Sequence, residues 1–282
     1  MTDSERLPVS RNGNRLSRKL GAFLKRDFFE AASYKLSFVY SVLGVFFSSA
    51  TFYFVAKLVS PGEALLAPYG GDYFSFVIVG VAFSGLLGVI QEGLPMIIRS
   101  AQVSGTLEAL LVTQTGIPTI LFGSSLYTLA FTTARTFFHL FLAILVFDMK
   151  LGDVNALGLV CVFLLTAVCF ISIGILSASF ILVYKMGNPI SWIFGSVSGL
   201  LGGILFPISV LPPWVRWISY LLPVTHSLEG MRRSLLASAH FSQILPSIGA
   251  LAAFSSALMP LSLIVFRLAL RKAKKDGTLT QF

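Results

Sequence analysis

The 282-residue chain reads as an all-α integral membrane protein with six transmembrane helices, on three observations. Six apolar stretches of bilayer-crossing length fill most of it, at about 36–56, 73–94, 119–147, 157–183, 190–211 and 246–270. A hydrocarbon core of ~30 Å takes about 20 residues of helix, and a helix satisfies its own backbone groups where water is absent. Composition agrees: 55% of residues are hydrophobic and 12% charged, against roughly 25% charged in soluble domains, and the mean hydropathy is +0.84. Finally, the net charge of +9 is gathered at the two ends, which points to anionic headgroups rather than to nucleic acid.

Taken in order, residues 1–13 read as a disordered tail. From Asn14 to about Glu30 a helix is expected, with Leu16, Leu20, Phe23, Leu24 and Phe28 on one side and Arg18, Lys19, Lys25 and Arg26 on the other. Asp27 falls in the apolar stripe. A basic amphipathic helix beside a span lies flat at headgroup level. Residues 1–34 are therefore read as a cytoplasmic tail and interfacial helix, and 35–282 as the six-span domain. No cleaved signal is expected, because the first apolar run begins after about 35 polar residues and exceeds the 7–15 of a signal core.

The connection after span one (58–72) carries Pro61, Gly62, Pro68, Gly70 and Gly71 and reads as a short outer turn region. The inner connection 95–118 contains a predicted short helix. Loops 148–156 and 184–189 are tight, the second marked by Met186-Gly187-Asn188-Pro189. Span five is crowded with Gly195, Gly199, Gly202 and Gly203, and Gly195-x-x-x-Gly199 permits close helix approach, within the chain or to a second chain. The segment 212–245 is too apolar for a solvent loop, with Trp214, Trp217, Tyr220 and Leu221 among its residues. Broken by prolines, it is expected at the outer interface, dipping inward as short half-helices. Cys161 and Cys169 lie about 12 Å apart on one helix, too far for a disulfide.

Charge sets the expected orientation. With both termini in the cytoplasm, fifteen Lys and Arg residues lie on the inner side and five on the outer, leaving Arg135 within the membrane. The positive-inside rule favours that arrangement, and an even span count requires both ends on one side.

Motifs exclude several activities. There is no Gly-x-x-x-x-Gly-Lys-Ser/Thr phosphate loop and no His-Glu-x-x-His; the three histidines, His139, His226 and His240, are scattered. No Gly-x-Ser-x-Gly elbow occurs, and the bilayer core lacks the carboxylates that proton-coupled carriers use. A membrane-embedded enzyme or a secondary carrier is the different-class alternative, and both lose ground here.

The inner loop, by contrast, holds a capped amphipathic helix. Ser104 and Gly105 precede Thr106, Leu107 and Glu108; Glu108 sits in the first turn, where the helix dipole favours it. Leu107, Leu110 and Leu111 form one apolar face. The third span carries Ser125, Thr128, Thr132, Arg135, Thr136 and His139 within about 100° of arc. A mid-membrane Arg costs ~2.5–3.5 kcal/mol, so this face is expected to look inward, toward a substrate path or a brace such as Glu92.

Gly105-Thr106-Leu107-Glu108-Ala109-Leu110-Leu111-Val112-Thr113 closely resembles the cytoplasmic loop motif of ABC type-2 transporter permeases. Gly203-Ile204-Leu205-Phe206-Pro207-Ile208-Ser209, followed by Leu211-Pro212-Pro213-Trp214, resembles the Pro-bearing end of that family's fifth span. Leu222-Pro223-Val224-Thr225-His226, with Gly230-Met231-Arg232 following, resembles its Pro-Leu-Thr-Tyr segment. The chain departs at Gln114, where the family usually has Pro, and at Gln102-Val103-Ser104, where it usually has a charged pair. The resemblance implies the permease of an exporter in the cell (inner) membrane, pairing with a second permease chain as a homodimer and docked by two copies of a separate ABC ATPase subunit. ATP and Mg would sit on that partner, with no cofactor on this chain. Residues 104–113 would couple to the motor, and Pro207, Pro212, Pro213, Trp214 and Pro223 would form an outer gate. The expected cargo is an amphipathic drug-like or lipid-like compound, the alternative a lipid-linked glycan.

Overall fold

A computed structural model describes residues 35–58, 63–105, 117–185 and 187–275. The predicted interfacial helix and residues 106–116 of the inner loop lie outside the described residues. All regular structure among those described is helical: α1 Lys35–Leu58, α2 Glu63–Leu66, α3 Tyr73–Val103, α4 Ile117–Phe147, α5 Ala156–Tyr184, α6 Pro189–Leu201, α7 Pro213–Tyr220, α8 Pro223–Leu235 and α9 Phe241–Lys275. Short 3-10 turns occupy Ala67–Tyr69 and Ile208–Val210.

Polar caps set the helix starts. Asp72 accepts from the Ser75 amide at 2.8 Å, Asn155 from Gly158 at 2.9 Å, and Asn188 from Ser191 at 3.1 Å. Each satisfies an amide that has no partner within its own helix. Lys185, at φ 54°, ends α5 in the left-handed region, and Pro189 opens α6. The predicted turn at 184–189 is therefore a left-handed stop followed by an Asn-Pro start.

Among the described residues five helices are long and apolar enough to cross a bilayer: Val39–Leu58, Tyr73–Val103, Leu129–Phe147, Ala156–Tyr184 and Phe241–Ala273. The predicted fifth stretch, 190–211, departs from that pattern. Its helix α6 stops at Leu201 after 13 residues, about 20 Å, short of a ~30 Å core. Gly202 caps it, donating its N–H to the Ser198 carbonyl at 2.8 Å, and Gly203 turns the chain at φ +75°. Pro207, Pro212 and Pro213 keep the helix from resuming.

The helices share two ends. The distal end carries 63–72, 148–155 and 236–240; the proximal end carries the start of α1, the end of α3 and the end of α9. α3 is the central helix, packed between α4 and α5. The main core joins Ile78, Leu86 and Leu87 of α3 to Val162 and Phe170 of α5, Leu228 and Met231 of α8, and Ile244 and Leu251 of α9. At the proximal end small residues (Ala101, Ala178, Ala269, Ala273) let α3, α5 and α9 converge. A Cβ at Gly174 would meet the Gln91 carbonyl at 2.6 Å, so α3 and α5 touch backbone to backbone there. Lipid gives helices no hydrophobic reason to associate, so close packing and buried hydroxyls carry the contact. Thr166 donates to Ser227 at 2.8 Å and Ser177 meets Ser191 at 3.0 Å. Both cysteines are free, Cys169 buried and 3.2 Å from the Ser255 hydroxyl.

Candidate functional site

The segment after α6 folds back as a hairpin of α7 and α8, and its depth follows from its register. α8 runs antiparallel to the first half of α5. Ser234 faces Gly158, Gly230 faces Val162, and Ser227 bonds Thr166. Continued to Pro223, that register sets the start of α8 level with residues 169–170, the midpoint of the 29-residue α5. The hairpin tip thus lies about 20 Å in from the distal end, level with the middle of α5. His226, at the tip, donates from Nε2 to the Tyr220 carbonyl at 2.9 Å and lies against Phe254 of α9.

Near the distal end of α8, Arg232 is buried, 3% exposed. Its guanidinium donates to three carbonyls: Phe76 of α3 at 3.1 Å, Gly203 at 2.7 Å and Ile204 at 2.8 Å. It also lies 3.4 Å above the Phe76 ring. The two α6-side acceptors belong to the turn where that helix breaks, so one cation satisfies carbonyls that the break leaves without helical donors. Gly80 makes room: a Cβ there would strike both the Ile204 carbonyl and Arg232 Nη2.

One turn earlier, Glu229 accepts from the Tyr69 hydroxyl and, at 2.7 Å, from Arg233 Nε. Arg233 also donates to the Gln243 carbonyl at 3.1 Å. Burial, then the adjacent Glu229 carboxylate, pushes the Tyr69 phenol above its ordinary range, so it stays a donor. These residues tie the 63–72 segment, α3, the α6 break, α8 and α9 into one cluster. Beyond it, Leu235 and Ser234 carbonyls accept from Gly152 and Asn155 amides at 3.0 and 2.9 Å.

The predicted gate residues fall in this region. Pro213 and Pro223 are the first residues of α7 and α8, Pro207 and Pro212 precede helical turns, and Trp214 is 72% exposed. With Trp217 and Leu221 it forms an exposed apolar face on α7.

The polar face of α4 divides. Thr136 donates to the Thr132 carbonyl at 3.0 Å and reaches the Ala82 carbonyl at 3.5 Å, and both Thr136 and His139 are buried. Arg135, expected to look inward with them, is exposed on the flank. Glu92 is exposed as well, and among the described residues neither joins an ion pair. Ser125 and Thr128 lie on α4, but their side chains are outside the described residues. Of the coupling motif, Ser104 and Gly105 are described: Ser104 closes α3 by donating to the Ser100 carbonyl at 2.8 Å, and Gly105 turns the chain at φ +66°. Thr106, Leu107, Glu108, Leu110 and Leu111 lie outside. At Gly195 and Gly199 nothing among the described residues stands within 4 Å of where a side chain would begin, so α6 does not use them to pack against the described helices.

The charge count sets Arg232 among the five cations of the outer side, with Lys57, Lys150, Arg216 and Arg233. The signal for its burial was present: Arg232 shares an i, i+3, i+4 face with Leu228, Met231 and Leu235, beside an acid at Glu229. Residues 20–236, most of the chain, match the family model described as ABC-2 type transporter. None of the curated proteins matches the chain.

Proposed function

The chain belongs to the ABC-2 type transporter family, and on that premise we propose that it is the permease of an exporter, carrying an amphipathic, drug-like or lipid-like compound out of the cytoplasm. Membership implies association with an ABC ATPase subunit, and the chain itself has no phosphate loop. Two copies of that ATPase hydrolyse ATP beneath two copies of this permease in the inner membrane. Both termini face the cytoplasm, as the charge asymmetry favours.

The observation that supports this reading best is the hairpin. A helix pair that turns back at mid-depth does not span the membrane; it plugs half of it. Such a plug suits a route that opens on one side at a time. Pro207, Pro212, Pro213, Trp214 and Pro223 belong to this distal gate. The motor presses on 104–113, where Leu107, Leu110 and Leu111 pack and Glu108 makes a polar contact. A second permease chain covers the open Gly195 and Gly199 face of α6, where small residues favour helix approach. Arg135 and Thr132 line the route, because an exposed cation at this depth needs water or an anion.

The test is reconstitution. The chain is purified with the ATPase that it captures from its own membrane and sealed into vesicles with candidate amphiphiles. ATP-dependent movement is expected with the pair and none with the chain alone. Uphill movement by the chain alone would refute the reading.

A further inference from the structure

We propose that Arg232 is the positioning residue of the distal gate: it fixes α8 to the bundle and holds the Gly203 and Ile204 carbonyls, so that α7 with residues 205–212 is the part that moves to release cargo. The division rests on the permease reading above, and it splits the predicted gate residues. Pro223 falls in the fixed half. Pro207, Pro212, Pro213 and Trp214 fall in the moving half.

The two helices of the hairpin are held very differently. α8 is bonded along its whole length to elements far away in sequence. Ser227 accepts from Thr166, Arg232 holds the Phe76, Gly203 and Ile204 carbonyls, and Glu229 holds Tyr69. Its last carbonyls receive amides from the 148–155 connection. The fit is also steric, since a Cβ at Gly230 would meet Val162 at 2.8 Å and one at Gly152 would meet the Leu236 carbonyl at 2.6 Å. Little free volume remains for α8 to shift.

α7 is held by its neighbours in the chain. Among the described residues, its side-chain hydrogen bonds stay within the segment: Arg216 to the Ser209 and Leu211 carbonyls at 2.6 and 3.1 Å, and Ser219 to Val215 at 3.4 Å. Val215 and Ser219 are buried, while Trp214, Trp217 and Leu221 are exposed. Arg216 therefore makes α7 and the preceding turn one small body. That body has a joint at each end: Gly202-Gly203 on one side and Leu221-Leu222 on the other. Arg232 grips the carbonyls at the first joint and so fixes the axis about which α7 turns. Few long-range bonds and much exposed surface are the marks of a segment of low local stability.

Hydrogen–deuterium exchange on the full chain in lipid nanodiscs tests the division without cargo or ATP. Peptides from 213–221 are expected to exchange roughly tenfold faster or more than those from 223–235. Arg232→Gln is expected to bring 223–235 toward the rate of α7 while 156–184 keeps its protection. Arg232→Lys is expected to fall between, because an ammonium cannot reproduce the planar fork that meets three carbonyls. If Arg232→Gln does not fold, Gly80→Ala crowds the same guanidinium by one methyl and is expected to give the same selective rise. Equal exchange of the two helices in the wild-type chain, or α8 protection unchanged in these variants, would overturn the proposal. Vesicles in which the chain and its ATPase move nothing, with the exchange pattern intact, would count against the permease reading and leave the division standing.

Discussion

Arg232 and Arg135 are both carried on helices of the bundle, and their surroundings predict opposite responses to substitution. Arg232 is enclosed, with three carbonyl acceptors and an aromatic face. Arg232→Ala strands those carbonyls and leaves a void, at a cost of about 3–5 kcal/mol, so the melting temperature of the purified chain should fall by many degrees. Arg135 is exposed and joins no ion pair among the described residues. Arg135→Gln removes a charge that costs ~2.5–3.5 kcal/mol to insert, so the melting temperature should hold or rise while ATP-dependent efflux falls. A drop in stability equal to that of Arg232→Ala would show that Arg135 braces the bundle instead. Tyr69 adds a pH prediction. Its phenol titrates above the ordinary value of 10.0, first through burial and then through Glu229. Its contribution is therefore constant below about pH 10 and is lost only as pH rises beyond that. The melting temperature of wild type minus that of Tyr69→Phe should be flat from neutral pH to about 9, and a difference that shrinks across that range would reject the assignment.

At the level of elements, the long spans were legible because each is a long, almost uninterrupted apolar run, and length alone separates such a run from a soluble helix. The fifth stretch is as apolar as the others, yet its helix ends at Leu201. A hydropathy window counts apolar side chains and is blind to the backbone, whereas Gly202-Gly203 and Pro207 act on the backbone. The half-helices of the 212–245 segment were legible in kind, through prolines and exposed Trp, but not in depth. Depth comes from the register of α8 against α5, a tertiary property. Gly195-x-x-x-Gly199 leaves two packing choices open in the sequence, and the structure favours the second chain, since nothing among the described residues fills the space beside either glycine. Gly199→Leu should therefore leave the fold intact, with an unchanged melting temperature. It should also abolish disulfide capture between two chains carrying a cysteine at Trp192 of α6, which is exposed. Undiminished capture would place the second permease chain elsewhere.

For the whole molecule, the distribution of charge and the position of the hairpin bear on one question, which side opens outward. The distal end carries few cations and the hairpin; the proximal end carries Arg99, Lys185 and the cations that close α9. If cytoplasmic charge sets the orientation, Lys150→Cys should react with a membrane-impermeant maleimide in intact cells, and Lys272→Cys only after permeabilisation. Cys169 is buried and Cys161 half-buried, so background labelling should be low. The coupling motif can then be examined from the side thus established. Leu107 and Leu110 share one face of the predicted helix in 104–113, and a motor that docks there must press on apolar side chains. Replacing both with Asp removes that apolar contact and touches none of the residues that hold α7, α8 or Arg232. The double variant should keep its fold and its exchange pattern in α7 and α8 while losing ATP-driven efflux by about tenfold or more, a coupling loss of about 1.4 kcal/mol. Full efflux with both leucines replaced would mean that the motor engages a different surface of the proximal end.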